Sequence, residues 1–537
     1  MRGKLFLWSL LSGLLLSVSW PPYGFAPILF VAFLPLLIVQ HTVQTDNRLR
    51  AHHLFLYAYL TFLVWNALTT WWVWNASPVA LLAFTANSLL MTLVFLVYHK
   101  VRLHLPQRYS AFTLPVIWIT FEYLHLQWDL TWPWLTLGNA FSELGQLVQW
   151  YEYTGVFGGS FWVLLANVLI FELFVYRHTF LRPLKKKLAY WSALGVLLIV
   201  PAILSLIRYM SLREPGATTS IDVVVVQPNI DPYGEKFDKN DRFAYRKQLY
   251  KMLKLAAQKT DTAVDYLVLP ETALVEDLWE NYIGNTWSIV RLDSFRRAFP
   301  KLKIVTGAST YYKYESWETP PHTARKFADA GEYYDSYNTA LQIDADSSRI
   351  QLYHKSKLVP GVENMPFAWL SSLSIDLGGT TGILGTQEER TALASPDGKI
   401  KVAPVICYES IFGEYVGGYL ENGAEYIFII TNDGWWGNTP GYKQHLHYGR
   451  LRAIETRKGI ARAANTGISC FIDVRGDIHQ ATDWWKPDVI RARVESVPGR
   501  TFYSRHGDYV ARISMGLSFL AIGLALVRHL RTRFKKS

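Results

Sequence analysis

Two cysteines among 537 residues, Cys407 and Cys470, are too few for a disulfide framework and cannot supply a cysteine-based zinc site, so each thiol must be read alone. A single Cys407–Cys470 disulfide stays open for an oxidising compartment. Internal repeats and low-complexity segments are lacking as well. Lysine and arginine are missing from three stretches, near Pro21–Tyr23, Asn75–Pro78 and Gln127–Val156, although the formal charge is +11. That gap matters because the basic residues crowd into the alternate loops: Arg2 and Lys4; Arg48 and Arg50; Lys100, Arg102 and Arg108; Arg177, Arg182, Lys185, Lys186 and Lys187; and the tail Arg528, Arg531, Arg533, Lys535 and Lys536. In a membrane protein such an asymmetry places both termini in the cytoplasm and the long segment between them on the opposite face. Much of the positive charge is then a topology signal, and no nucleic-acid partner is implied.

What is abundant points the same way, since half of the residues are hydrophobic and 21 are Trp. A bilayer-spanning helix needs roughly 20 mostly apolar residues. Seven such runs are expected near Leu5–Trp20, Gly24–Val43, Leu54–Trp74, Val79–Tyr98, Phe112–Leu126, Phe157–Tyr176 and Leu188–Ile207, and an eighth near Tyr509–Leu530. The first resembles a signal peptide, but Ser17-Val18-Ser19-Trp20 is a poor cleavage site and further apolar runs follow at once, so it reads as retained. The aromatic stretch TWPWLTLGNAF within Gln127–Val156 reads as an interfacial anchor or as a lipid-access surface. The expected organisation is a membrane region over 1–210, an extramembrane domain over 219–503 and a closing span over 509–530.

Within 219–503 the pattern changes. Short β-branched runs, IDVVVVQ (221–227), DYLVLP (265–270), KIVTGAS (303–309), KVAPVIC (401–407) and YIFIITN (426–432), alternate with amphipathic stretches such as Arg242–Lys259 and Gln444–Arg457. Strands buried on both faces and separated by helices imply a layered α/β domain.

Three polar residues stand at or just after such strands, where α/β folds assemble sites. Cys407 ends VAPVIC; it is either a small buried hydrophobe or a thiol presented to a pocket, where a neighbouring base converts it to the attacking thiolate. Glu271 follows Pro270 in LVLPETA, as a solvated loop carboxylate or as that base. Lys355 lies in the basic run His354-Lys355-Ser356-Lys357, as a solvated edge or as a fixed cation for a developing oxyanion. Cys470, in NTGISCFID, keeps the buried-hydrophobe reading.

Taken jointly, these segments resemble the carbon-nitrogen hydrolase (nitrilase) superfamily, in which Glu, Lys and Cys occur in this order on an αββα sandwich. More narrowly, the chain is similar over almost its whole length to the apolipoprotein N-acyltransferase family. LPETA around Glu271, KxxLVP from Lys355, ICYE around Cys407, NDGWWG at 432–437 and RLRAIETRKGIARAANTGIS at 450–469 carry the resemblance. It implies Glu271 as base, Lys355 as oxyanion-stabilising cation and Cys407 as nucleophile. It also implies Glu363 as a second active-site glutamate, with Tyr408, Glu409 and Trp435 supporting the pocket. Their ordinary alternatives are packing for the aromatics and structural hydrogen bonding for the glutamates. Two departures occur: Gly361-Val362 precedes Glu363 where the family commonly has Phe-Gly, and Phe237 stands where a Trp is expected. The implied chemistry moves an acyl chain from a membrane phospholipid to a diacylglyceryl apolipoprotein in a bacterial inner membrane, with the catalytic domain on the periplasmic face and no metal or dissociable cofactor. A membrane-tethered amidase or nitrilase is the alternative reading, and a catalytically silent lipid-binding module is a more distant one.

The basic-loop asymmetry makes a topology prediction. Single cysteines introduced near Lys186 should label only from the cytoplasmic side and those near Asp483 only from the outer side; the reverse pattern would overturn the assignment.

Overall fold

The computed structural model describes residues 2–76, 80–175, 183–212, 219–237, 241, 243–327, 331–346, 350–364 and 383–534. Pro78, Val79, Tyr176, Arg177, Arg182, Arg242, Lys535 and Lys536, which enter the expectations above, lie outside the described residues. The chain divides into two units, Met1–Arg213 with His506–Ser537, and Glu214–Arg505.

Among its described residues the first unit contains helices and turns but no strand. Of the eight expected spans, five correspond to helices long and apolar enough to cross a bilayer: Ala26–Thr45, Leu82–His104, Tyr151–Val175, Leu184–Ser211 and Tyr509–Phe534. The other three expected spans form helices that fall short. Arg2–Val18 has 17 residues and Thr113–His125 has 13, and at 1.5 Å per residue a 13-residue helix reaches only about 20 Å of a hydrocarbon core about 30 Å thick. Ala51–Thr70 is long enough, but His52, His53, Asn66, Thr69 and Thr70 dilute its apolar character. Tyr151–Val175 is the central helix, 83% buried over its apolar window against 11% for Leu184–Ser211. Its Asn167 side chain accepts from Phe33 N (2.9 Å) and donates to Leu29 O (2.7 Å), satisfying backbone where the Ala26–Thr45 segment is irregular ahead of Pro35.

The tryptophan-rich stretch corrects an expectation. It folds into three 3-10 turns, Pro133–Leu135, Leu137–Glu143 and Gly145–Leu147, with Trp134, Leu137 and Phe141 buried inside the unit. Glu122 fixes it by accepting from Leu137 N at 2.9 Å and Trp118 Nε1 at 3.1 Å. Trp134 and Phe141 are thus packing elements, whereas Trp128 in the same loop is exposed.

The second unit has two sheets. In the first, β1 (Thr219–Gln227), β2 (Tyr266–Val268) and β4 (Lys303–Lys313) run parallel, with β14 (Asp488–Ser496) antiparallel on β1 and β6 (Tyr333–Ile343) antiparallel on β4. The short β3 (Leu274–Trp279), β5 (Arg325–Lys326) and β7 (Gln351–His354) extend it. The second sheet has the order β13-β12-β11-β10-β9-β8, from Ile478–His479 through Cys470–Ile472, Ile460–Ala464, Tyr426–Thr431 and Lys401–Ile406 to Leu393–Ala394. Strand alternation sets the layers. Val224 and Val226 of β1 join Leu249, Met252, Ile289 and Leu292 of helices Ala244–Ala256 and Trp287–Arg296 in one core. Tyr266 of the first sheet meets Phe428 of the second edge-on at 5.2 Å, while Gly449 of helix Pro440–Thr456 lets that helix approach Ile429 and Ile472 from the far side. The result is the expected αββα sandwich.

The sheets are locked at one end by Gln227. Its side chain donates to the carbonyls of Asp483 (2.8 Å) and Lys486 (2.9 Å) and accepts from Ser469 N (2.9 Å) and Thr482 Oγ1 (2.7 Å). Gln227→Ala strands buried groups that cost about 1–3 kcal/mol each; the thermal unfolding midpoint of the detergent-solubilised protein should fall by several degrees, and an unchanged midpoint would refute the lock.

Candidate active site

Strand β9 delivers Cys407 on a sharp elbow. The residue has φ of +48°, a conformation that costs a non-glycine residue about 1–3 kcal/mol and persists only where the surroundings over-determine it. Those surroundings are visible. The Cys407 carbonyl accepts from Ser410 Oγ (2.7 Å) and lies 3.0 Å from His445 Nε2. His445 Nδ1 in turn sits 3.0 Å from Asp433 Oδ1, and Arg462 Nη2 donates to Asp433 Oδ2 at 2.7 Å. Burial alone would raise the Asp433 carboxyl, but Arg462 and His445 overcome it and hold Asp433 ionised.

Glu271 ends the loop after β2. Gly307 of β4 lets this loop come close: a Cβ there would lie 2.6 Å from Glu271 Cα and 2.5 Å from Thr272 N, and Gly307 N donates to Pro270 O at 3.1 Å. Lys355 follows β7, its backbone N donating to Asn338 O at 2.8 Å. Its Nζ donates to Glu271 Oε1 at 3.1 Å and to Glu363 Oε1 at 2.8 Å, and Asn338 Nδ2 reaches the same two oxygens at 2.8 and 3.1 Å. All four side chains are buried. Burial pushes the Lys355 amine down, yet Glu271 and Glu363 more than compensate and keep it charged.

Cys407 lies within the field of both Glu271 and Lys355. Burial, then the Glu271 charge, push its thiol up, and Lys355 opposes them, so the resting group is the thiol. Thiolate formation needs a proton acceptor, and Glu271 is the carboxylate whose charge acts most strongly on the thiol.

The supporting residues separate into distinct roles. Glu363 remains on Lys355 despite the Gly361-Val362 departure, because Gly361 adopts φ of +80° and Val359 N donates to Glu363 Oε2 at 2.9 Å. Glu409 is fully buried. It accepts from Ser356 N (2.7 Å) and Ile406 N (2.9 Å), and from the hydroxyls of Tyr353 (2.7 Å) and Tyr415 (2.8 Å), so one carboxylate ties the residue after Lys355 to the residue before Cys407. Tyr408 stacks edge-on with Phe412 at 5.2 Å. Trp435 packs against Tyr233 at 5.1 Å, its carbonyl accepting from Tyr233 OH. Phe237 lies beneath the Lys236 ammonium at 5.6 Å.

Three features escape the sequence patterns. Asn338, the joint ligand of both glutamates, sits inside a buried strand among Asp335, Ser336, Thr339 and Gln342, so its polarity alone did not single it out. Lys236 is buried beside Glu271. The Asp433–His445–Arg462 group lies beneath the elbow. Cys407 and Cys470 are both free thiols, which closes the disulfide alternative.

A two-layer sandwich with a buried Glu-Lys-Cys cluster defines the carbon-nitrogen hydrolase class, and the profile of that family, "Carbon-nitrogen hydrolase", matches residues 223–498. Residues 12–169 match a second family, "Apolipoprotein N-acyltransferase N-terminal domain". The apolipoprotein N-acyltransferase of Chlorobaculum tepidum is 31% identical, covering 99% of this chain and 98% of that one. Those of Geobacter metallireducens and Haemophilus influenzae are each 27% identical, over 97% and 96% of this chain and 95% and 94% of theirs. Among solved structures, an amidase of the nitrilase superfamily from Nesterenkonia aligns with TM-score 0.36 and 15% identity, covering 54% of this chain and 96% of that one. The chain belongs to the apolipoprotein N-acyltransferase family and is an acyltransferase.

The tether through Glu409 yields a test at the site. Glu409→Gln places an amide donor against backbone donors; acyl transfer should fall at least about tenfold, the equivalent of one strong hydrogen bond, while the Cys407 thiol remains titratable under denaturing conditions. Undiminished transfer would show that the tether is dispensable.

Proposed function

We propose that the chain transfers an acyl group from a membrane phospholipid, through a Cys407 thioester, to the α-amine of a diacylglyceryl N-terminal cysteine on a lipoprotein. The observation that carries this reading is the buried Glu271–Lys355–Cys407 cluster within a chain whose relatives are apolipoprotein N-acyltransferases along nearly its full length.

In the first half-reaction Glu271 takes the Cys407 proton and the sulfur attacks the ester carbonyl. Lys355 has three N–H groups, of which two point at Glu271 and Glu363, so the third is available to the oxyanion. Collapse breaks the ester C–O bond, and the lysophospholipid alkoxide leaves with the proton held by Glu271. In the second, the lipoprotein amine attacks the thioester, Glu271 accepts its proton, the C–S bond breaks and the thiol is restored. The product is an amide. Both substrates are lipid-anchored, which suits a chain with five bilayer-length helices. The domain is read as lying on the periplasmic face, from the distribution of Lys and Arg.

The triad should tolerate little. Cys407→Ala, Glu271→Gln and Lys355→Ala should each lower turnover by ~10²–10³ or more in folded protein, whereas Cys470→Ala, deep in β12, should retain most of it; near-normal Lys355→Ala would overturn the oxyanion role. Transfer is distinguished from hydrolysis by its stoichiometry. Phospholipid alone should release one lysophospholipid per enzyme in a single burst and leave an acyl adduct on Cys407 by mass spectrometry. Turnover should continue only with a diacylglyceryl peptide bearing a free α-amine, and acetylation of that amine should restore the single burst. Sustained fatty-acid release indifferent to acceptor would identify a membrane hydrolase instead.

A further inference from the structure

A second lysine enters the same cluster from the opposite side. Lys236 follows β1 in the loop 228–237, where its backbone N donates to Asp231 O at 2.8 Å and its carbonyl accepts from Gln248 Nε2 at 3.2 Å. Its side chain is 2% exposed. The ammonium donates to the backbone carbonyl of Glu271 at 3.0 Å and to Thr272 Oγ1, and it sits over the Phe237 ring. Thr272 has φ of +46°, a left-handed conformation in the turn that aims the Glu271 side chain. Lys236 thus grips both ends of that turn, while feeling the charges of Glu271 and Cys407.

Charge counting gives this position its weight. Lys355 alone faces two buried carboxylates, Glu271 and Glu363. That set carries one net negative charge, and moving a proton from Cys407 to Glu271 relocates the charge without removing it. An uncompensated charge in so dry a place is expensive, and it opposes a thiolate directly. With Lys236 included, two ammonium groups face two carboxylates and the cluster is neutral both before and after the proton transfer.

We propose that Lys236 is a positioning and charge-balancing residue of the acyl-transfer site, fixing the Glu271–Thr272 turn and supplying the second cation that makes the Cys407 thiolate accessible. The inference rests on Cys407 being the nucleophile. Burial brings the Lys236 amine down to about 8, against the opposing fields of Glu271 and Cys407, so the cation persists at neutral pH. The titratable groups facing this part of the site are Glu271, Cys407, Lys355 and Glu363, with Asp433 behind the thiol.

The test reads the thiol directly. The full-length, detergent-solubilised protein is alkylated with iodoacetamide, a neutral reagent, across a pH series, and the Cys407 adduct is quantified by mass spectrometry. Lys236→Gln keeps a hydrogen-bond donor but removes the charge. It should slow the reaction at neutral pH about tenfold, a difference that narrows above about pH 8 as the parental amine loses its own charge. Lys236→Arg should stay within about threefold of the parent, since the charge is kept. The double substitution Lys236→Gln with Glu363→Gln restores neutrality and should recover most of the loss, a coupling that a purely structural lysine would not produce. A parental pH profile in Lys236→Gln, or a double variant no better than the single one, overturns the proposal. Where Lys236→Gln alone does not fold, the double variant carries the test: folded with a near-parental profile it supports the proposal, and unfolded it overturns it. Alkylation is blind to acyl donor and acceptor, so a failure of the acyl-transfer reading would appear in the burst stoichiometry and not here.

Discussion

Everything at this site depends on holding an ammonium group out of water. Lys355 can be buried only because Glu271 and Glu363 each accept from it, and those carboxylates can be buried only because Asn338 and the Val359 amide supply further donors. Removing one partner of such a group leaves a buried charge uncompensated, typically a loss of about 3–5 kcal/mol. The chemistry follows from the same constraint. In the proposed mechanism an ammonium whose orientation is set by two carboxylates needs no reorganisation when negative charge develops on a bound carbonyl.

Cys407, the proposed nucleophile, is held by a separate device. The left-handed turn at Cys407 is maintained through its carbonyl, by Ser410 and His445, with Asp433 and Arg462 behind them. Those residues fix the backbone that presents the sulfur, while the proposed chemistry leaves its proton to the Glu-Lys cluster. Position and reactivity are thus set by different parts of the second and first sheets, and the sandwich is what brings them into register.

How much of this was legible in the sequence varies with the kind of signal. The β-branched runs at 221–227, 303–309, 401–407 and 426–432 are strands because a layer buried on both faces demands that composition, and Glu271, Lys355 and Cys407 were visible as polar residues interrupting or ending such runs. The spans were overcounted because apolar content does not report helix length: the Thr113–His125 helix is surrounded by other apolar residues but stops after 13. In the aromatic loop tryptophan suits both a membrane interface and a crowded interior, and burial assigns Trp134 and Phe141 to the interior while Trp128 stays exposed. Asn338 and Lys236 stayed hidden for another reason: each owes its role to residues far away in the chain, and neither spacing nor periodicity encodes such a meeting.

The Glu409 carboxylate has a wider consequence. Because the same two oxygens satisfy backbone amides next to Lys355 and next to Cys407, together with tyrosines from two elements, the site has no soft edge along this seam. Local opening of either loop would leave a buried carboxylate short of donors, which makes such opening costly. The seam is therefore a rigid wall of the pocket, one carboxylate holding its two sides at a fixed separation.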